Sequence, residues 1–293
     1  MRWVSSALRS PPALVAIGGV AGLLWPSAAL ADRSDLILAA LVLAVALTID
    51  PARLRGTAGA WRIVVAAVLL PLAVLLPLAV GLGALFGDAA HDGLIALGLA
   101  PTEVATAGLV ALAGGDSALA LTVVTASLAL TAVVAPAIAP LLVDASVASG
   151  DLIARFSLVV LVPLVVGLAV RARSSDPRLE SLGANATSPV LALLVYAALG
   201  DLGDRSALGT ALAASLLFLG ASVGLALLLG ARLGRRRTGA FVFALRDFAV
   251  AATLAGQFDT PGAAATPAVY GVVMLLLATV ASSLLGRMQS RAR

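Results

Sequence analysis

From Ile63 to Phe86 the chain reads IVVAAVLLPLAVLLPLAVGLGALF, with no charged side chain, a run long enough to cross a bilayer's hydrocarbon core as a helix. Comparable runs recur to the end of the sequence. Lipid admits only helices or closed barrels, because no water is there to satisfy an unpaired backbone group. The runs lack the strict in–out alternation of barrel strands, so the fold class is all-α integral membrane. Composition agrees. With 61% hydrophobic and 12% charged residues, a soluble domain of 293 residues could not hide its apolar surface.

At roughly 20 residues per span the chain holds about ten transmembrane helices. The apolar stretches place them near residues 12–30, 35–49, 62–86, 93–113, 117–143, 152–170, 182–200, 206–230, 238–258 and 262–286. The connections alternate in sign. One set carries Arg53, Arg55 and Arg62, then Arg171, Arg173 and Arg178, then Arg232, Arg235, Arg236 and Arg237, with Arg2, Arg9, Arg287, Arg291 and Arg293 at the ends. The other carries Asp32 and Asp35, Asp88 and Asp92, Asp144 and Asp151, Asp201 and Asp204, and Asp259. Arginine-rich loops stay on the cytoplasmic side, which predicts a multi-pass protein of the inner (plasma) membrane with both termini cytoplasmic. The net charge of +4 therefore marks topology, and nucleic acid is not an expected partner. The first run, ending in PSAALAD, also has the look of a signal peptide; the repeat described next requires it as a helix.

Two stretches can be laid side by side, LIALGLAPTEVATAGLVALAGGDSALALTVV from Leu94 and FVFALRDFAVAATLAGQFDTPGAAATPAVYG from Phe241. Each has an apolar lead-in, a polar cluster, a small-residue helix, a turn with an aspartate (Asp116, Asp259) and another long helix. Five helices per half is an odd number, so the second half lies inverted in the membrane. Residues 1–149 and 150–293 then form two inverted five-helix repeats within one transmembrane unit, a recurring plan of secondary transporters.

Three charges fall at or near the midpoints of spans: Glu103 in the fourth, Arg246 and Asp247 in the ninth. A charge at that depth costs about 2.5–3.5 kcal/mol on insertion scales, so they must face one another, water or a ligand. One reading is an ion pair that fastens two helices, with Glu103 or Asp247 neutralising Arg246; the other is a substrate or ion pathway. Pro101 favours the second, because it removes a backbone hydrogen bond beside Glu103 and breaks the helix there. Thr102 and Thr106 add hydroxyls. No proline breaks the ninth span. Gly98 and Gly108 read as close-packing positions, and His91 as part of an external loop. Without cysteine there is no disulfide, thiolate metal site or thiol catalysis. With His91 the sole histidine and neither His-Glu-x-x-His nor Gly-x-Ser-x-Gly present, no enzyme, cofactor or metal centre is expected.

The segments LAVALTIDPARLR (Leu43 to Arg55) and LAPTEVATAGLVALAGGDSALALTVVTASLALTAVVAPAIAPLL (Leu99 to Leu142) resemble the bile acid:sodium symporter family. The resemblance implies ten helices in two inverted repeats, divided into a panel and a core, with helices 4 and 9 broken and crossing at the midplane beside two sodium sites. Pro101 matches that family's signature and Thr106 matches its serine in kind. Thr102 and Glu103 stand where the family has two glycines, and Ala107 replaces its asparagine. On the ninth helix Val242 stands for a glutamate, Arg246 for a glutamine and Asp247 for an asparagine. The resemblance thus implies a transporter whose sodium ligands have changed.

The expected function is secondary active transport of a small organic anion, a carboxylate or sulfonate, by alternating access. Pro101, Thr102, Glu103, Thr106, Arg246 and Asp247 are the expected substrate- and ion-binding residues. Glu103 or Asp247 would carry a proton, and Arg246 would meet the anion. Proton coupling or exchange is expected over sodium; sodium-coupled symport, and a non-transporting sensor or assembly subunit, are the alternatives.

Overall fold

The computed structural model describes residues 11–52, 58–143, 149–174, 176–200, 207–232 and 236–291. Arg2, Arg9, Arg53, Arg55, Asp144, Asp201, Asp204, Arg235 and Arg293, which entered the charge alternation, lie outside the described residues. Every regular element among those described is helical, apart from one isolated backbone bridge.

In chain order the helices are α1 (Pro11–Leu24), α2 (Ser34–Thr48), α3 (Trp61–Gly83), α4 (Asp88–Leu99), α5 (Thr106–Leu112) and α6 (Ser117–Ile138). They continue as α7 (Ser149–Phe156), α8 (Val162–Arg173), α9 (Pro177–Gly200), α10 (Ala207–Arg232), α11 (Arg236–Ala244), α12 (Phe248–Ala255) and α13 (Ala265–Arg291). A π-helical segment, Ser157–Leu161, joins α7 to α8. Among the described residues six helices are long and apolar enough to cross a membrane: Trp61–Gly83, Ser117–Leu141, Gly150–Arg173, Pro177–Gly200, Ala207–Leu229 and Ala265–Met288. The first two runs of the sequence become the shorter apolar helices α1 and α2, and the fourth and ninth become the interrupted pairs α4/α5 and α11/α12. Pro71 and Pro77 sit inside an unbroken α3, so proline alone does not decide where a helix stops. His91 lies within α4, not in a loop.

The helices sort into two groups. In the first, α9 packs most extensively on α1 and α2, and α8 packs on α2. In the second, α10 packs on α11 and α13, α13 packs on α12, α3 packs on α4 and α6 packs on α5. Between helices in lipid, close backbone approach replaces the hydrophobic effect as the adhesive. Gly18 and Gly22, one turn apart on α1, provide that approach. A Cβ on Gly18 would stand 2.3 Å from the Ala192 carbonyl oxygen, and one on Gly22 2.3 Å from that of Tyr196. Leucine at position 22 should therefore push α1 off α9 at a cost of about 1–3 kcal/mol or more, read as earlier thermal unfolding of the detergent-solubilised protein. Gly98 is likewise held against α3, its missing Cβ 2.9 Å from Leu76 Cα, whereas Gly108 faces open space and is not a packing glycine.

Candidate functional site

The two interruptions meet. α4 stops at Leu99 because Pro101 drives the preceding residue out of helical geometry: Ala100 is extended, with ψ 153°. α11 stops at Ala244 without a proline. Here Asp247 is the N-cap of α12, its Oδ1 accepting the backbone N–H of Ala249 and of Val250, each at 3.0 Å. An aspartate in that role holds its own backbone extended and so starts a new helix. Leu245–Asp247 and Pro101–Glu103 are left as two short extended segments.

These segments cross antiparallel. Thr102 and Arg246 form the bridge, the Glu103 N–H donates to the Leu245 carbonyl (3.1 Å), and the Asp247 N–H donates to the Pro101 carbonyl (2.8 Å). That pattern turns the N–H groups of Thr102 and Arg246 outward, where each needs another partner. α6 and α13 supply them. Thr102 N–H donates to Ser127 Oγ (3.1 Å), and Arg246 N–H donates to the Tyr270 hydroxyl (3.1 Å), which in turn donates to the Ala244 carbonyl (3.3 Å). The Tyr270 ring meets Phe218 of α10 edge to face, centroids 5.9 Å apart.

The crossing brings together Pro101, Thr102, Glu103, Arg246 and Asp247, with Thr106 opening α5 directly behind; all are buried. It pairs Glu103 with Asp247 as equivalents, each one residue past the bridge and each accepting the N–H two residues on, Ala105 at 3.2 Å and Ala249 at 3.0 Å.

The charges do not form an ion-pair lock. Among the described residues the ion pairs within 4 Å are His91–Asp92, Arg155–Asp35 and Arg171–Glu180, so Arg246 is fastened to neither carboxylate. Its Nη2 donates instead to the Ala100 carbonyl freed by the break in α4. Glu103 has Asp247, another carboxylate, as its electrostatic neighbour. Three buried polar atoms of the crossing have no hydrogen-bond partner among the described residues: Glu103 Oε2, Thr106 Oγ1 and Arg246 Nε. Orphans are rare in a purely structural interior, and their concentration here suits groups that meet a mobile proton or solute.

One helix on from the crossing lies a cavity of about 320 Å³, between the first group and α12. Asp32, Ser34, Arg155, Thr253 and Gln257 provide its polar lining, among small aliphatic side chains. Asp35 accepts from Arg155 Nε. Thr253 stands six residues past Asp247 on the same helix, roughly 9 Å at 1.5 Å per residue. None of these lining residues was selected from the sequence. The signal for Arg155 was its position: it lies at the acidic end of the bundle, against the charge alternation. A larger cavity of about 520 Å³ between α10, α11 and α13 is lined by apolar side chains and offers no charged or hydroxyl group to orient a solute.

A model described as the SBF-like CPA transporter family matches residues 34–257, which includes both halves of the crossing. No curated protein matches the chain.

Proposed function

The chain belongs to the SBF-like CPA transporter family, and from that premise we propose that it is a secondary active transporter of a small organic solute bearing a carboxylate or sulfonate. Transport proceeds by alternating access: the first helix group and the second move relative to each other around the cavity between them. The helices make up ten spans in two inverted repeats, residues 1–149 and 150–293, and the broken pairs α4/α5 and α11/α12 cross at the bilayer midplane. Both termini are cytoplasmic in the inner membrane. The family and this architecture speak for carriage across the membrane and against an enzyme.

The observation that carries the reading is the pair of buried carboxylates, Glu103 and Asp247, joined to the cavity by the length of α12. Two carboxylates held together out of water are unfavourable with both ionised, and a proton between them relieves the repulsion. We assign the moving proton to Glu103, whose Oε2 has no partner, and treat Asp247 as the second acid, fixed by its capping bonds. Arg246 is the resident counter-charge. Held on the Ala100 carbonyl and buried, it leaves the substrate anion to Arg155. Pro101 and Thr102 shape the break, and the free hydroxyl of Thr106 hydrates or relays at its edge.

Sodium fits these residues poorly. A hard cation needs several oxygen ligands, whereas Val242 offers no side-chain oxygen, its carbonyl already accepts from Thr102 Oγ1 (3.3 Å), and Arg246 places a positive charge at the same crossing. Coupling is therefore to protons, or transport is by exchange. The test is uptake of a panel of small carboxylates and sulfonates into proteoliposomes under imposed pH or sodium gradients. Accumulation with acid outside and no sodium is expected; movement of no solute under any gradient or in exchange would overturn the reading.

A further inference from the structure

The lining of the 320 Å³ cavity narrows the substrate class further, on the premise that this cavity is the transport site. Among the described residues Arg155 is its one lining cation, and it is already partly answered, since Asp35 accepts from Nε. Only the terminal amino groups of the guanidinium remain for a ligand. Asp32 is the lining carboxylate, exposed where α2 begins. With Asp35 counted, the described surroundings hold two carboxylates and one guanidinium.

Two further lining groups are biased the same way, while the Ser34 hydroxyl can serve either charge. The Thr253 hydroxyl spends its proton on the Ala249 carbonyl (3.0 Å), leaving oxygen lone pairs. Gln257 Nε2 is turned to the Thr253 carbonyl (3.4 Å), leaving Oε1 as an acceptor. A plain anion would find one half-compensated guanidinium, with the Asp32 and Asp35 carboxylates and two acceptor oxygens set against it. A sterol-like amphipath would find small alanine walls broken by charges and no continuous apolar face. A compact solute with an anionic group at one end and an ammonium at the other satisfies both: its anion takes the free Arg155 amino groups, and its ammonium donates to Asp32, Gln257 Oε1 and Thr253 Oγ1.

We propose that the transported solute is a small zwitterion of the amino-acid type, with Arg155 reading its anionic group and Asp32 its cationic group.

The experiment is calorimetric titration of the purified full-length protein with the ω-amino acids from glycine to 5-aminopentanoate, each beside its matched carboxylate and its matched amine. At least one zwitterion should bind about tenfold or more tighter than either counterpart. Asp32→Asn should bring the zwitterion and its carboxylate to within about twofold of each other, while Arg155→Gln should weaken both. Equal binding of carboxylate and zwitterion by the natural protein, an unchanged preference in Asp32→Asn, or binding of no zwitterion in the series would each overturn the proposal. Proton-driven uptake of simple carboxylates with no advantage for the amino acids would sink this inference while leaving the transporter reading standing. Movement of neither class would sink the transporter reading itself.

Discussion

Glu103→Gln should stop gradient-driven uptake while leaving exchange of solute for solute running. Glutamine keeps the local fold, because its Oε1 still accepts the Ala105 N–H as the glutamate does. It also resembles the protonated acid, so the variant is fixed in the state that has its proton and never has to release it. Net accumulation should fall about 100-fold or more, a loss of ~2.7 kcal/mol of coupling, with thermal stability held or raised because a buried charge has gone. Uptake assays under a pH gradient and counterflow assays without one separate the two modes. Loss of both together, in a protein that still folds, would mean that Glu103 contacts the solute or the moving interface and does not carry the coupling proton.

Asp247 has two duties, and two substitutions divide them. Alanine removes the N-cap of α12 and leaves the Ala249 and Val250 N–H groups without their acceptor inside the bundle, costing about 1–2 kcal/mol for the cap and more for the buried orphans. Asparagine keeps an oxygen in the same place and is as good a cap. Asp247→Ala should therefore unfold markedly earlier in detergent and lose transport, whereas Asp247→Asn should match the natural protein in stability yet lose most of its pH-driven uptake. Full uptake by Asp247→Asn would reduce this residue to a structural cap.

The sequence made part of this architecture legible. Uninterrupted apolar runs such as Ile63 to Phe86 could only be membrane helices, and Pro101 beside Glu103 announced a broken one. The second break was harder to see because its causes are an N-cap aspartate and a tyrosine hydroxyl. Asp247 had been weighed as a charge and not as a helix start, and Tyr270 acts from a helix that begins well beyond the break. Ser127 has the same character: its bond to Thr102 exists only once α6 has packed against the crossing. Alanine-rich repeats carry little register information, so the backbone hydrogen bonds of the crossing are what match Glu103 with Asp247. The ion pair that was one reading of Arg246 is replaced by a backbone acceptor, because a break in α4 exposes the Ala100 carbonyl at the right place. The cavity residues were beyond reach, since Asp32, Arg155 and Gln257 come from three separate elements that only tertiary packing assembles.

The central claim is that one cavity opens to either side of the membrane in turn. Because the chain contains no cysteine, a single thiol can be introduced without background labelling. Ala198, on α9, lines the cavity and is a small side chain that tolerates the change. The direct measurement is labelling of Ala198→Cys in oriented vesicles by a membrane-impermeant maleimide, applied from the outside and, separately, from the inside, at acidic and neutral pH. Alternating access predicts labelling from both sides, with the balance shifting as pH changes and the shift lost in Glu103→Gln. Labelling from one side alone under every condition, by a protein that remains folded, would contradict it.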